Sequence, residues 1–366
     1  MAHDIETIAP SSTQSWLRLT LVQAVPPHKQ RALLQRFGGA DAVFAASRDA
    51  LSEVIGETGA QALARGPEPR LLEATHAWLQ RPGCRLVGLG DPAYPALWKQ
   101  IAIPPCAFYV QGRVELLNKP ALAIVGSRNA TPRGVSDAHE FARSLADEGV
   151  VIASGLARGI DAAAHRGGLA GAASTIAVMG TGPDVVYPHA NESLAREIAG
   201  RGCIVSEFPV GTPPLERNFP RRNRLISGLA RGVLVVEAAP RSGSLGTARA
   251  ALEQNRDVFA IPGSIHSPLS KGCHWLIKEG AKLVDCVDDI AHEIGIRAPC
   301  EQEPPSAADP VLEAMGFAPV TPEHIIERTG LDAATLAARL SWLEIEGRVQ
   351  ALAGGWFQRA EKRVIE

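Results

Sequence analysis

Residues 121–131 read Ala121-Leu122-Ala123-Ile124-Val125-Gly126-Ser127-Arg128-Asn129-Ala130-Thr131. The first five are apolar without interruption, as in a strand buried on both faces. A glycine turn follows, and across 134–148 apolar residues return at helical spacing. The same order recurs down the middle of the chain. Strand-length apolar runs occupy 150–153, 175–179, 204–206, 233–237 and 258–261, and helical patterns fill 160–169 and 244–254. Fully apolar strands alternating with helices predict a parallel sheet covered on both faces, that is, a doubly wound, Rossmann-like α/β fold.

Ligands of such folds bind beyond the carboxyl ends of the strands, where the strand-to-helix turns lie. The turn Gly126-Ser127-Arg128 combines close backbone approach, helix N-terminal amides and a cation, which together suit a phosphate. It is not Gly-x-Gly-x-x-Gly. The next strand ends in Ser154-Gly155-Leu156-Ala157-Arg158-Gly159 rather than in the acid that would hold a ribose, so no dinucleotide site is predicted. Asp161 and His165 follow at i, i+4 on one helical face. With no nucleophile or third metal ligand beside them, they are read as orienting residues rather than an acid–base pair or a metal site.

Between 217 and 249 the chain carries seven arginines (Arg217, Arg221, Arg222, Arg224, Arg231, Arg241, Arg249) and one acid, Glu237. Within this stretch, Arg217-Asn218-Phe219-Pro220-Arg221-Arg222-Asn223-Arg224 sets an aromatic among guanidinium groups. Guanidinium groups clamp phosphates bidentately and an aromatic ring stacks an unpaired base, so this segment is read as binding single-stranded nucleic acid. Ser242-Gly243-Ser244-Leu245-Gly246-Thr247 is a further anion-suited loop that lacks the Gly-Lys-Ser/Thr of a phosphate-binding ATPase loop. Pro262-Gly263-Ser264 and Ser270-Lys271-Gly272 close the series. Consecutive edge loops that are small, basic and poor in carboxylates suit an extended polyanion better than one small molecule.

The flanks differ. Residues 1–14 are polar and are expected to be a disordered tail. Residues 15–80 show short amphipathic patterns such as Leu33-Leu34-Phe37 stopped by Gly38-Gly39, a helical domain of SAM-like or helix-hairpin-helix size. The main domain is placed at 81–296, its first part (81–119) being a proline-punctuated connector. Residues 297–309 form a Pro/Ala/Glu-rich linker. The last segment, 310–362, reads as helices plus a hairpin, a winged helix. From Asp309 to Ala360 it holds four Lys/Arg against seven Asp/Glu, and its expected recognition helix has one cation, Arg339. Duplex binding needs several cations on the docking face, so this domain is read as a protein-interaction or regulatory module.

With 366 residues, 46% hydrophobic and a net charge of −2, the chain is long enough for several domains and does not advertise a nucleic-acid partner by bulk charge. Its six cysteines include no Cys-x-x-Cys pair, which argues against a zinc site or a disulfide framework and for a reducing cytoplasm. No apolar run reaches the roughly 20 residues of a membrane span, and the polar, acidic N-terminus is not expected to be a signal peptide.

The motifs IVGSRNAT (124–131), SGLARGIDAAAH (154–165), MGTGPDVVYPHAN (179–191), SEFPVGTPP (206–214), NFPRRNRLISGLARGVLVVEAAPRSGSLGTA (218–248) and VFAIPGSIHSPLSKGCHWLIKEGAKLV (258–284) strongly resemble the DNA-processing protein A family (DprA, or Smf), over about Asp91 to Leu283. The resemblance implies a bacterial cytoplasmic protein that binds and protects incoming single-stranded DNA during natural transformation and loads the RecA recombinase. It also implies a homodimer formed through the Rossmann-like domain, with no catalytic reaction and no cofactor. It assigns DNA contact to Arg128 and to 217–224, resting more on Arg222 and Arg224 than on Arg217 and Arg221. Two alternatives stand beside it. One is a phosphoribohydrolase-like enzyme using the 242–247 loop with Glu253. The other is a nucleotide-sensing regulator on the same fold.

Overall fold

The computed structural model describes residues 8–296, 309–316, 319–346, 348–352 and 354–359. Residues 1–7 and 297–308, with most of the expected linker, lie outside the described residues.

The helical region comprises α1 (Thr13–Thr20), α2 (Pro27–Phe37), α3 (Ala40–Ala45), α4 (Arg48–Ile55), α5 (Glu57–Arg65) and α6 (Pro69–Leu79). Gly38 ends α2 in the left-handed region at φ +84°, its N–H donating to the Leu34 carbonyl, a conformation glycine adopts without steric cost. The expectation of a disordered tail through residue 14 is corrected from Ile8 onward. Ile8 is buried, the Ala9 N–H donates to the Gly38 carbonyl at 2.7 Å, and the Ser12 hydroxyl donates to Asp41 at 2.7 Å. The polar composition that suggested disorder supplies the caps that tie this segment down.

The sheet follows: β1 (Cys84–Gly88), β2 (Ala107–Gly112), β3 (Ala121–Val125), α7 (Pro132–Asp147), β4 (Val151–Ser154), α8 (Ile160–Ala170), β5 (Thr175–Met179), α9 (Glu192–Arg201), β6 (Cys203–Ser206), α10 (Asn218–Leu229), β7 (Gly232–Val235), α11 (Ser244–Glu253), β8 (Asp257–Ala260), α12 (Lys271–Lys278), β9 (Lys282–Leu283) and α13 (Asp288–Glu293). Among the described residues it is nine-stranded, in the order β1-β2-β6-β5-β4-β3-β7-β8-β9. The run from β6 to β9 is parallel, and β1 and β2 add to it antiparallel. The expected connector is therefore part of the sheet. Its prolines fall between the strands, where they break no ladder, and Tyr94 and Trp98 meet Phe108 edge-to-face at 5.5 and 4.7 Å.

β3, β4 and β5 are buried at every residue, as their apolar runs require. The helices α1–α6 pack on the same core as the sheet: Gly88 of β1 lies so close under Trp16 that a Cβ would stand 2.1 Å from the indole. Helical region and sheet thus belong to one compact unit rather than two modules.

The C-terminal unit contains α14 (Pro310–Met315), α15 (Pro322–Thr329), α16 (Ala333–Ile345), β10 (Val349–Leu352) and β11 (Trp356–Arg359). The strands pair antiparallel, and Leu312, Ile325, Leu336, Leu340 and Leu343 fill the core, giving a winged helix. The Asp332 carboxylate caps α16 by accepting the Ala334 and Thr335 N–H groups at 3.0 Å.

Candidate nucleic-acid interface

From β3 the chain builds outward through β4, β5 and β6, then returns to the other side of β3 for β7, β8 and β9. The carboxyl ends of β3 and β7 therefore flank the topological switch point, where doubly wound sheets open a crevice. The turn after β3 and the loop after β7 face each other across it.

The first wall is the 126–131 turn. A Cβ on Gly126 would lie 2.6 Å from Ile160 Cγ1, and one on Gly159 (φ +72°) would lie 2.2 Å from the Ser127 carbonyl oxygen. Backbone thus packs on backbone here, and the Ile160 N–H donates to Ser127 O at 3.2 Å. Ser127 is buried, its hydroxyl accepting the Asn129 N–H at 3.1 Å, while Arg128 and Asn129 are left exposed. Glu237, the acid of the arginine-rich stretch, accepts the Thr131 N–H (2.9 Å) and hydroxyl (2.6 Å) at the start of α7. Its carboxylate is committed to a helix cap.

Beneath that turn the floor is held by buried polar groups. Arg222, 5% exposed, donates to the carbonyls of Gly155 (2.8 Å) and Val178, and a Cβ on Gly155 would meet its guanidinium at 2.7 Å. Burial, partly offset by Asp161, lowers its pKa to about 10. Burial likewise raises the Asp161 carboxyl against the opposing pull of Arg222, and its Oδ2 accepts the Gly155 (3.1 Å) and Ala157 (3.4 Å) N–H groups. His165 accepts the Leu156 N–H at 3.2 Å on Nε2 and meets the Thr175 hydroxyl at 2.7 Å through Nδ1. Burial pushes its pKa down to about 3, so the ring is neutral. Asp161 and His165 each pin the same turn through the backbone. The Ser154 hydroxyl is spent on the Ile124 carbonyl at 2.7 Å.

The 217–224 segment does not act as one basic patch. Arg222 is buried, and Arg224 donates from Nη2 to both Glu207 carboxylate oxygens at 2.6 Å and from Nη1 to the Ile103 carbonyl. Arg221 reaches the same carboxylate at 3.2 Å. Arg222 and Arg224, on which the resemblance rests its DNA contact more than on Arg217 and Arg221, both have their guanidinium groups occupied inside the fold in the free chain, and Arg222 lines the groove from its floor. Asn218 is buried as well, its Nδ2 without a hydrogen-bond partner among the described residues.

What the crevice does bring together is an open groove of about 1150 Å³. Arg128 and Asn129 line one wall, Phe219 and Asn223 the α10 side, and 241–247 with Arg249 the other wall. Arg128, Arg241 and Arg249 are exposed there and form no hydrogen bond or ion pair among the described residues. Gly243 has open space where a Cβ would stand, and at Gly246 the nearest atom is 4.0 Å away, so bare backbone faces the groove at the first turn of α11. The Ser242 and Ser244 hydroxyls bond each other at 2.7 Å, while Ser244 and Thr247 are buried. Arg158, Gly159, Arg217, Arg221, Arg224, Ser154, Gly155 and Lys271 do not line the groove. Tyr187, after β5, does, and sequence reasoning passed over it. Its one signal was an aromatic at a carboxyl-edge loop.

Fold and groove together define a doubly wound α/β protein whose switch point presents open glycine backbone and three exposed arginines without hydrogen bonds or ion pairs among the described residues, Arg249 lying over the Trp275 ring at 5.5 Å. The chain belongs to the family described as DNA recombination-mediator protein A, whose family model matches residues 85–295. The DprA winged helix domain model matches 288–355. Protein Smf of Escherichia coli (strain K12) is 41% identical over 300 residues, spanning 78% of this chain and 80% of that protein. DNA processing protein DprA of Streptococcus pneumoniae is 48% identical over 203 residues, 56% of this chain and 72% of that one. The X-ray structure of the S. pneumoniae protein superposes with a TM-score of 0.69 at 36% identity, covering 78% of this chain and 99% of that chain. DNA processing protein A from Helicobacter pylori, described for its single-stranded DNA binding mode, gives a TM-score of 0.53 at 30% identity over 58% of this chain and 95% of that chain. No described helix is long and apolar enough to cross a membrane.

Proposed function

We propose that this chain binds single-stranded DNA in the switch-point groove, protects it, and passes it to the RecA recombinase in the bacterial cytoplasm during natural transformation. The observation that carries the reading is the convergence of Arg128, Arg241 and Arg249 with the open backbone of Gly243 and Gly246 on one groove. The single-stranded DNA binding of the H. pylori relative supports the same ligand.

A homodimer through the Rossmann-like domain belongs to this reading. Trp275 and Leu283, on α12 and the edge strand β9, are exposed apolar residues of the kind a partner copy covers. The winged helix acts in it as a protein contact: Arg339, the cation of α16, is ion-paired to Asp309, while Trp342 and Trp356 are exposed. The enzyme alternative is weaker because Glu253 closes the far end of α11, roughly 9 Å along the axis beyond Thr247 at 1.5 Å per residue, and does not line the groove. His165 is fully enclosed and both ring nitrogens are engaged, with Leu156 and Thr175, so it cannot reach a substrate as a base.

The test is anisotropy with labelled oligo-dT and a matched duplex across salt concentrations. Tighter binding of the single strand, falling steeply with salt, is expected. Absence of binding at low salt sinks the proposal.

A further inference from the structure

Tyr187 is an aromatic ring that the fold of the domain does not use. It lies on the loop after β5, is 45% exposed and lines the groove. Its hydroxyl makes no hydrogen bond among the described residues. Among the described residues its one ring contact is Phe219, with centroids 5.6 Å apart and planes tilted by 38°.

Phe219, which the sequence marks as the stacking residue, is placed differently. It is half-buried and rests on Gly180, where a Cβ would come within 2.7 Å of Cδ1. The Arg128 guanidinium carbon stands 5.8 Å from the Phe219 centroid. Phe219 is thus wedged between backbone, Tyr187 and Arg128, and serves as the backing of the cluster. Tyr187 is the outer ring, held from behind and open to the groove, within the same cluster as an unpaired cation.

We infer that Tyr187 is the base-stacking surface of the groove. An unpaired nucleobase lies against its exposed face, with the adjoining phosphate next to Arg128. This rests on the single-stranded DNA reading above and adds the source of strand selectivity. A base inside a duplex already has both faces covered by its neighbours and cannot lie on Tyr187 without being pulled from the stack, whereas a single strand has free faces. The phenol oxygen has no part in the contact, so any planar aromatic at this position serves.

The experiment compares the full chain with Tyr187→Leu and Tyr187→Phe, using labelled oligo-dT and an equally long oligomer of abasic tetrahydrofuran units. The wild type is expected to prefer oligo-dT by about five- to a hundredfold, the span of one base stacked on one ring. Tyr187→Leu loses that preference while holding the abasic oligomer within about twofold, and Tyr187→Phe keeps it. A 2-aminopurine in the strand is quenched on binding to the wild type, a readout that needs no variant. Tyr187→Leu retaining the preference, or weakening both oligomers equally, overturns the inference, as does an unquenched 2-aminopurine. Equal wild-type binding of both oligomers also overturns it while leaving the single-strand reading intact. Failure of the wild type to bind either oligomer overturns the reading beneath it.

Discussion

At the scale of single residues, Arg128 and Arg222 have the same side chain and opposite situations. Arg128 is exposed, beside the Phe219 ring and with no hydrogen bond or ion pair among the described residues, so on the single-strand reading Arg128→Ala removes a phosphate contact and little that holds the fold. A hydrogen bond to a charged group contributes about 1.5–3 kcal/mol, and oligo-dT affinity should fall about ten- to hundredfold with the melting temperature unchanged. Arg222→Ala leaves the Gly155 and Val178 carbonyls in the interior without their donor and removes the cation that opposes the burial of Asp161, at about 1–3 kcal/mol for each buried group left unsatisfied. Urea unfolding distinguishes the two, and an Arg222→Ala chain as stable as the wild type would return Arg222 to the DNA-contact role.

His165 carries a pH signature. Its pKa is lowered from 6.5 to about 3, so below about pH 6.5 the unfolded chain takes up a proton that the folded chain refuses. The stability it contributes is complete above that pH and is lost on acidification, at about 1.4 kcal/mol per pH unit. Asp161, whose pKa is raised, has the opposite sign: its contribution is present when protonated and lost as pH rises through its folded value. Between about pH 6.5 and 5 the wild type should lose about 2 kcal/mol more unfolding free energy than His165→Gln. Parallel pH profiles would show that His165 titrates in the fold.

At the scale of elements, strand, turn and helix order was legible because burial on both faces imposes continuous apolar runs. Residues 121–125 and 175–179 coincide with β3 and β5. β1 and β2 were not legible as strands of the sheet, since the prolines around them resemble linker punctuation. The arginine segment misled for a geometric reason. Along the chain, 217–224 is one block of charge, but on a helix of 3.6 residues per turn neighbouring positions point apart. Arg221 and Arg224 share the Glu207 side of α10, and Arg222 faces the floor. The glycines divide too: Gly126, Gly155 and Gly159 admit neighbouring protein atoms, while Gly243 and Gly246 leave space for a ligand. Gly246→Ala should therefore stabilise α11 by about 0.5–1 kcal/mol yet weaken oligo-dT binding, because the added methyl projects into the groove. A variant both more stable and equally tight would show that no strand passes over this turn.

At the scale of the whole molecule, the sheet order places the β3 and β7 edges side by side, so the two loops that form the groove are about 115 residues apart in sequence and adjacent in space. The C-terminal unit adds no free cation on α16, where Arg339 is held by Asp309. A chain ending at residue 296 is expected to bind oligo-dT within about threefold of the full-length affinity, with the same salt slope. A larger loss in anisotropy would make the winged helix a DNA contact after all.

Residue periodicity and turn chemistry alone determined the doubly wound sheet, the winged helix and the location of anion-suited turns at one sheet edge, because those signals are local and repeat at fixed spacing. The tertiary structure decided which arginines are free. Arg224 is claimed by Glu207 and Ile103, Arg222 by Gly155 and Val178, and the lone acid Glu237 by Thr131. Each of these partners lies beyond the range of any local pattern. A charge in sequence becomes available to a ligand only when the fold leaves it unpaired, as it leaves Arg128, and an aromatic only when the fold leaves its face open, as it leaves that of Tyr187.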